Sequence, residues 1–296
     1  MSPGPPRRPA VVIHAGAGER RPEIDECQAE YRTALLTTVD RARAVLEGGG
    51  SAVDAAQAAV MFMEDEVEFF NAGRGAALCS DGTVELSAAL MRGSDRGAGA
   101  VAAIKRTRYP IAAARAILDR SPHVLLVGAA GDRFAAAAGA EQTDPSYFIT
   151  ERQRDRLVAE PARFERGTVG AVCLDEQGML AAATSTGGMR GQLPGRVGDS
   201  PVIGAGTWAD GRVAISCTGD GEAFVRAGAA RLLALRVADG EPVDRAADGA
   251  LAEVAALGGH GGLIALDAGG ELAMPFHPGA MPRGVWRSGH EPAVWA

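Results

Sequence analysis

Three segments of this chain share one pattern, and that pattern limits its architecture more than any other feature. They are residues 76–91 (AALCSDGTVELSAALM), 169–186 (VGAVCLDEQGMLAAATST) and 262–276 (GLIALDAGGELAMPF). Each joins two short apolar runs through a turn containing Asp and Gly, which predicts a β-hairpin and therefore antiparallel sheet. Further strands are expected over residues 9–13, 123–127 and 213–217. Helical spacing of apolar residues predicts helices over 31–46, 110–118, 132–138, 222–237 and 243–257. Gly48, Gly49 and Gly50 end the first of these, and Ser51 with Asp54 forms an S-x-x-D start for a helix running to Met63. The helices come in adjacent pairs and do not alternate strictly with strands. The expectation is an α+β chain in which two sheets pack face to face under helices.

At 296 residues with 47% apolar content, the chain has enough material for a sizeable core, and 40 glycines point to many turns and close backbone approaches. A net charge of −7 argues against nucleic-acid or anionic-membrane partners. Lys105 is the only lysine and does not complete a phosphate-binding GxxxxGK loop, which also argues against Schiff-base chemistry. Cys27, Cys79, Cys173 and Cys217 are too dispersed for a zinc or redox pair and read as small apolar residues in a reducing compartment. The first nine residues carry four prolines and two arginines and lack the apolar stretch of a signal peptide. With no apolar run long enough to span a bilayer, a cytoplasmic protein is expected.

Gly-x-Gly pairs recur, but none completes the dinucleotide fingerprint, and neither a G-x-S-x-G elbow nor an HExxH motif occurs. His14, His123, His260, His277 and His290 are scattered. A spatial Ser-His-Asp triad stays open, with nothing in the sequence favouring it. The polar stretch from Gln142 to Arg166, read as a helix with an exposed loop or as a linker, gives way abruptly to GTVGAV. Thr168 thus starts a strand directly after a glycine. It reads either as an ordinary strand residue or as a nucleophile. A threonine hydroxyl needs an adjacent base, and its own α-amine becomes one if the Gly167–Thr168 bond is cut.

GTVGAV, TSTGGM, GRVGDSP, GAG and CTGDGE occur in that order and resemble the plant-type L-asparaginase/isoaspartyl peptidase family of N-terminal nucleophile hydrolases. VVIHAGAG, FNAGRGAAL, GAGAV and YPIAAARAIL extend the resemblance over nearly the whole chain. It implies a single domain with an αββα sandwich fold, self-cleavage into 1–167 and 168–296, and an (αβ)₂ assembly. Carried onto matching positions, Thr168 is nucleophile and base, and Thr186 orients it. Arg196 holds the substrate α-carboxylate and Asp199 its α-ammonium. The Thr218 hydroxyl and Gly219 N–H form the oxyanion hole, with Gly221 in the same turn on the substrate side. Asp220, where the family varies, is expected to favour a basic leaving residue as in β-Asp-Arg.

Asn71 matches the asparagine of a loop that binds sodium through backbone carbonyls, here in the segment from Glu64 to Asn71. That segment, MEDEVEFF before the asparagine, lacks the family's proline and is one residue longer. Ser87 and Arg92 stand where the family usually or often has Asp. No organic cofactor is implied. The implied activity is hydrolysis of β-aspartyl dipeptides and L-asparagine. The alternatives are a glycosylasparaginase-like amidase and an inactive member serving as a binding protein.

Overall fold

The computed structural model describes residues 8–18, 27–159 and 167–296. In chain order the first half contains β1 (Ala10–His14), α1 (Gln28–Glu47), α2 (Ala52–Asp65), β2 (Leu86–Arg92), β3 (Gly97–Ile104), α3 (Pro110–Arg120), β4 (Leu125–Val127), α4 (Gly128–Ala137) and α5 (Glu151–Ala159). The second half contains β5 (Val169–Leu174), β6 (Leu180–Thr186), β7 (Thr207–Ala209), β8 (Val213–Gly219), α6 (Gly221–Ala227), α7 (Ala229–Ala238), α8 (Val243–Ala256), β9 (Gly261–Asp267), β10 (Leu272–Ala273), β11 (Phe276–His277), β12 (Arg283–Arg287) and β13 (Ala293–Trp295).

The larger sheet has the order β13-β12-β1-β5-β6-β2-β3-β4, and the smaller runs β10-β9-β8-β7 with β11 also on β9. Every pairing is antiparallel except β3 with β4. Side chains on β5 alternate between two cores, as the pleat requires. Val169, Ala171 and Cys173 join Leu35, Val39, Met63 and Ile117 on the helix side. Val172 and Leu174 join Ile215, Cys217, Leu263 and Ala265 between the sheets, a core that continues outward to Leu233 and Ala247 of α7 and α8. Both faces of the central strands are therefore covered, which is why they read as unbroken apolar runs. The layers are helix, sheet, sheet, helix.

The hairpins over 169–186 and 262–276 form, but residues 76–91 do not make one. Ser80–Gly82 does turn, with Cys79 N–H donating to the Thr83 carbonyl at 2.8 Å. The run before that turn is instead tied to a loop beyond β6: Gly191 N–H donates to Leu78 O, Ser80 N–H to Gln192 O, and Ala77 N–H to the Asn71 side chain. The true hairpin is β2–β3. The helix expected over 222–237 is divided at Gly228, whose φ of 58° interrupts helical geometry. α4 starts at Gly128 and not at Asp132, because the Asp132 carboxylate turns inward to accept the N–H groups of Lys105, Arg106 and Thr107. At the start of α2, Ser51 Oγ accepts from Asp54 N–H as its motif predicts. Residues 142–159 hold a 3₁₀ turn, Pro145–Phe148, and α5, while 160–166 lie outside the described residues. Cys79, Cys173 and Cys217 are buried, Cys27 is exposed, and all are free. No helix among the described residues is long and apolar enough to cross a membrane.

Candidate active site

Thr168 lies one residue before β5, in the middle of the larger sheet, where β6 ends at Thr186 alongside it. Both threonines are buried, and Thr168 Oγ1 is 3.4 Å from Thr186 Oγ1. The Gly167 carbonyl accepts from Asn71 Nδ2 at 2.8 Å and from the Thr186 hydroxyl at 2.9 Å. Asn71 Oδ1 takes the Ala77 N–H at 2.7 Å, which fixes the amide so that its NH₂ faces the carbonyls of Gly167 and Gly188. No side chain fits at Gly167, since a Cβ there would lie 2.6 Å from Asn71 Cβ. Gly16, at φ +96°, lies beneath the same peptide, and its Cβ would be 3.2 Å from Gly167 Cα. Two neutral donors thus converge on one carbonyl beside a hydroxyl. That arrangement polarises the carbonyl for attack.

Across the inter-sheet space, Thr218 sits near the end of β8 with its Oγ1 accepting from Ala17 N–H at 3.1 Å. Accepting there leaves the hydroxyl hydrogen to be donated to something else. Gly219 follows at φ +148°, packed so closely on β9 that its Cβ would be 2.3 Å from the His260 carbonyl. Beneath these groups lies a polar chain that the sequence did not flag. His14 Nε2 is 2.9 Å from Ser216 Oγ, which is 2.7 Å from Thr184 Oγ1, which accepts from Thr207 at 2.7 Å. Burial lowers the His14 pKa to about 3, against a hydrogen bond to the Thr168 backbone, so its ring is neutral. The period of two in Thr184 and Thr186 was the available signal for this inward-facing polar row.

Arg196 and Asp199 lie in the loop between β6 and β7. Arg196 pairs not with Asp199 but with Glu222 in the first turn of α6: Nε to Oε1 at 2.8 Å and Nη2 to Oε2 at 2.9 Å. Its Nη1 reaches Gln192 Oε1 at 3.3 Å. Asp199 is buried, and its Oδ2 has no hydrogen-bond partner. Burial raises the Asp199 pKa to about 7. A Cβ placed on Gly221 would be 2.8 Å from Arg196 Nη2 and 3.0 Å from Asp199 Oδ1. The missing side chain lets a cation and an anion approach the same point on the backbone.

Asp220 has a backbone role in the fold. Its Oδ2 accepts from His260 N–H at 2.7 Å, while its own N–H donates to the His260 carbonyl, so it stitches β8 to β9. Ser87 is buried directly across from Thr186, its Oγ accepting from Ala103 N–H at 3.3 Å. Arg92, at the other end of β2, pairs with Asp95 at 2.8 Å. Glu64 is buried, accepting from Ser185 Oγ at 2.6 Å and from Ile111 N–H at 2.9 Å, and burial pushes its pKa up to about 8.

In the segment from Glu64 to Asn71, which lacks the family's proline, the Glu66 carboxylate accepts the N–H groups of Glu68 and Phe69 and so fixes the local turn. The carbonyls of Glu64 and Phe70 press on the two glycines that follow: a Cβ would lie 2.1 Å from the first at Gly73 and 2.2 Å from the second at Gly75. Among the described residues no group of three or more His, Cys, Asp or Glu side chains is arranged to hold a metal ion. The segment carries the carboxylates of Glu64, Asp65, Glu66 and Glu68 beside its backbone carbonyls, and oxygen atoms of both kinds are the donors a hard cation takes.

A model of the asparaginase family matches residues 7–165 and 158–295. Among curated relatives, the isoaspartyl peptidase of Salmonella typhimurium is 42% identical over 96% of this chain and 97% of its own length. The isoaspartyl peptidase/L-asparaginase of Bos taurus is 39% identical over 95% of this chain and 94% of its own, and that of Homo sapiens 37% identical over the same shares.

Proposed function

Because this chain belongs to the asparaginase family, it hydrolyses isoaspartyl peptides and asparagine, and we propose that Thr168 does the chemistry. The supporting observation is the Gly167 carbonyl, held by Asn71 and Thr186 beside the Thr168 hydroxyl. In maturation the Thr168 oxygen attacks that carbonyl carbon, the C–N bond of the Gly167–Thr168 peptide breaks, and an ester forms. Water then hydrolyses the ester, leaving a carboxylate on Gly167 and a free α-amine on Thr168. The products are chains 1–167 and 168–296.

In turnover the freed amine takes the proton of the Thr168 hydroxyl as its oxygen attacks the β-acyl carbon of the substrate. The developing oxyanion receives hydrogen bonds from Thr218 Oγ1 and Gly219 N–H. The amine departs with the proton, and water releases aspartate from the enzyme. Arg196 grips the substrate α-carboxylate and the ionised Asp199 its α-ammonium, the two meeting over Gly221. Carbonyls of the segment from Glu64 to Asn71 would hold a sodium ion, whose charge would fix the loop that presents Asn71. The cleaved chains associate as (αβ)₂.

The direct test is a dipeptide panel. β-Asp-Leu and asparagine should be hydrolysed, and α-Asp-Leu should not, since an α-linked aspartyl group cannot offer both a free α-carboxylate and a free α-ammonium. Efficient cleavage of the α-linked peptide contradicts the assigned grip.

A further inference from the structure

Glu222 belongs to none of the roles above, yet it makes the tightest contact in the substrate grip. Its carboxylate occupies one edge of the Arg196 guanidinium, the Nε–Nη2 edge, at 2.8 and 2.9 Å. This bidentate fork holds the Glu222 carboxyl below its ordinary range. The Arg196 side chain is largely buried, while that of Glu222 is 59% exposed, so the carboxylate approaches from the solvent side. The other edge, Nη1–Nη2, carries only the 3.3 Å contact to Gln192. The plane is confined further by Gly198, where a Cβ would lie 3.0 Å from Nη1 and 3.1 Å from Nη2. The Nη2 atom and Asp199 Oδ1 both crowd the point where a Gly221 Cβ would sit.

Here lies a physical problem. The buried Asp199 carboxylate, through Oδ1, and the Arg196 guanidinium, through Nη2, both approach the point where a Gly221 Cβ would sit, and nothing in their chemistry keeps them apart. Direct pairing of Arg196 with Asp199 would satisfy both and fill the space where an amino-acid head group has to sit. We propose that Glu222 is a positioning residue for the hydrolytic reaction: by holding Arg196 at its Nε–Nη2 edge it prevents collapse onto Asp199. It also leaves the Nη1–Nη2 edge turned to the substrate α-carboxylate. A planar guanidinium has two such edges and serves two carboxylates at once.

This inference rests on the reading of Arg196 and Asp199 as the substrate grip, and its test separates the two. KM and kcat are measured for β-Asp-Leu and for its analogue with the aspartyl α-carboxylate converted to an amide. The proteins are wild type, Glu222→Gln and Glu222→Asp. Self-cleavage on a denaturing gel and circular dichroism report folding, and Glu222→Asp is read alone if the Gln variant misfolds. The expected result for Glu222→Gln is intact self-cleavage, KM for β-Asp-Leu raised about tenfold, the equivalent of one lost charge-assisted contact, and kcat within about threefold. The preference for the free carboxylate over the amide shrinks in parallel, and Glu222→Asp recovers part of both. An unchanged KM and an unchanged preference in an active enzyme overturn the inference alone. A lowered KM also overturns it, since Glu222 would then be a competitor that substrate has to displace. A wild type with no preference for the free α-carboxylate overturns the underlying grip.

Discussion

Around the Gly167 carbonyl the polar groups answer one another. Asn71 and Thr186 donate to it, Asn71 is itself fixed by Ala77 N–H, and Thr186 accepts from Gly188 N–H. At the opposite end of the site, Asp199 is buried with Oδ2 unpartnered, and Arg196 shares its vicinity without bonding to it. Buried polar atoms are normally paired, because an unpaired one loses its hydration without recompense. The contrast follows from where each end finds its substrate. The Gly167 end has one already, in its own backbone, so its hydrogen bonds are complete. At the Asp199 end no such internal group meets the carboxylate's Oδ2, burial raises its pKa to about 7, and the proposed function assigns its partner to the substrate.

Variants that touch one end and spare the other test this division. Thr168→Ala removes what both ends serve. It should leave an uncut chain with hydrolysis reduced at least about a thousandfold, measured by gel and by aspartate release. Asn71→Ala removes one donor from the Gly167 carbonyl and should slow self-cleavage about a hundred- to a thousandfold in a time course of freshly made protein. Cleavage at the wild-type rate would mean that the completed hydrogen bonds at that end do not serve maturation. Arg196→Ala and Asp199→Ala act at the other end. Both should cut themselves normally, yet lose about 2–5 kcal/mol in kcat/KM, a factor of tens to thousands.

A pH profile sharpens the point. The ionised carboxylate is the form that holds an α-ammonium. Its pKa is raised to about 7, so kcat/KM should climb as pH rises through about 7. The Thr168 α-amine, the proposed base, adds its own rise at about pH 8, so Asp199→Asn should lose the limb through about 7 and keep the later one, and a wild-type profile flat from pH 5 to 9 counts against both. The smallest effect belongs to Asp220→Thr. With its carboxylate on His260 N–H, it should change the β-Asp-Arg to β-Asp-Leu ratio of kcat/KM by less than about fivefold, the range of an exposed ion pair.

The layering was legible in the sequence because both faces of the central strands are apolar, and the hairpins over 169–186 and 262–276 close within their own segments. Residues 76–91 look the same in pattern but pair over a distance, with Gln192 and Asn71, and local patterning carries no record of that. The ordered motifs brought forward Thr168, Thr186 and Asn71 together, although Asn71 meets Gly167 from 96 residues away. Glu222 stayed hidden because an acidic residue in the first turn of a helix has an ordinary explanation in the helix dipole. Only the fork to Arg196 sets it apart. Asp220 was brought forward by its place after the proposed oxyanion pair; that its Oδ2 also ties to the His260 backbone carried no local sequence signal.

Whether Thr168 becomes a chain terminus decides the account. Intact-mass spectrometry of the purified wild-type protein, with N-terminal sequencing of the smaller product, measures it directly. The account predicts two chains separated between Gly167 and Thr168, the smaller beginning Thr-Val-Gly-Ala-Val, with hydrolytic activity that rises in step with the cleaved fraction. A single uncut chain of 30.3 kDa that hydrolyses β-Asp-Leu at full rate would contradict it.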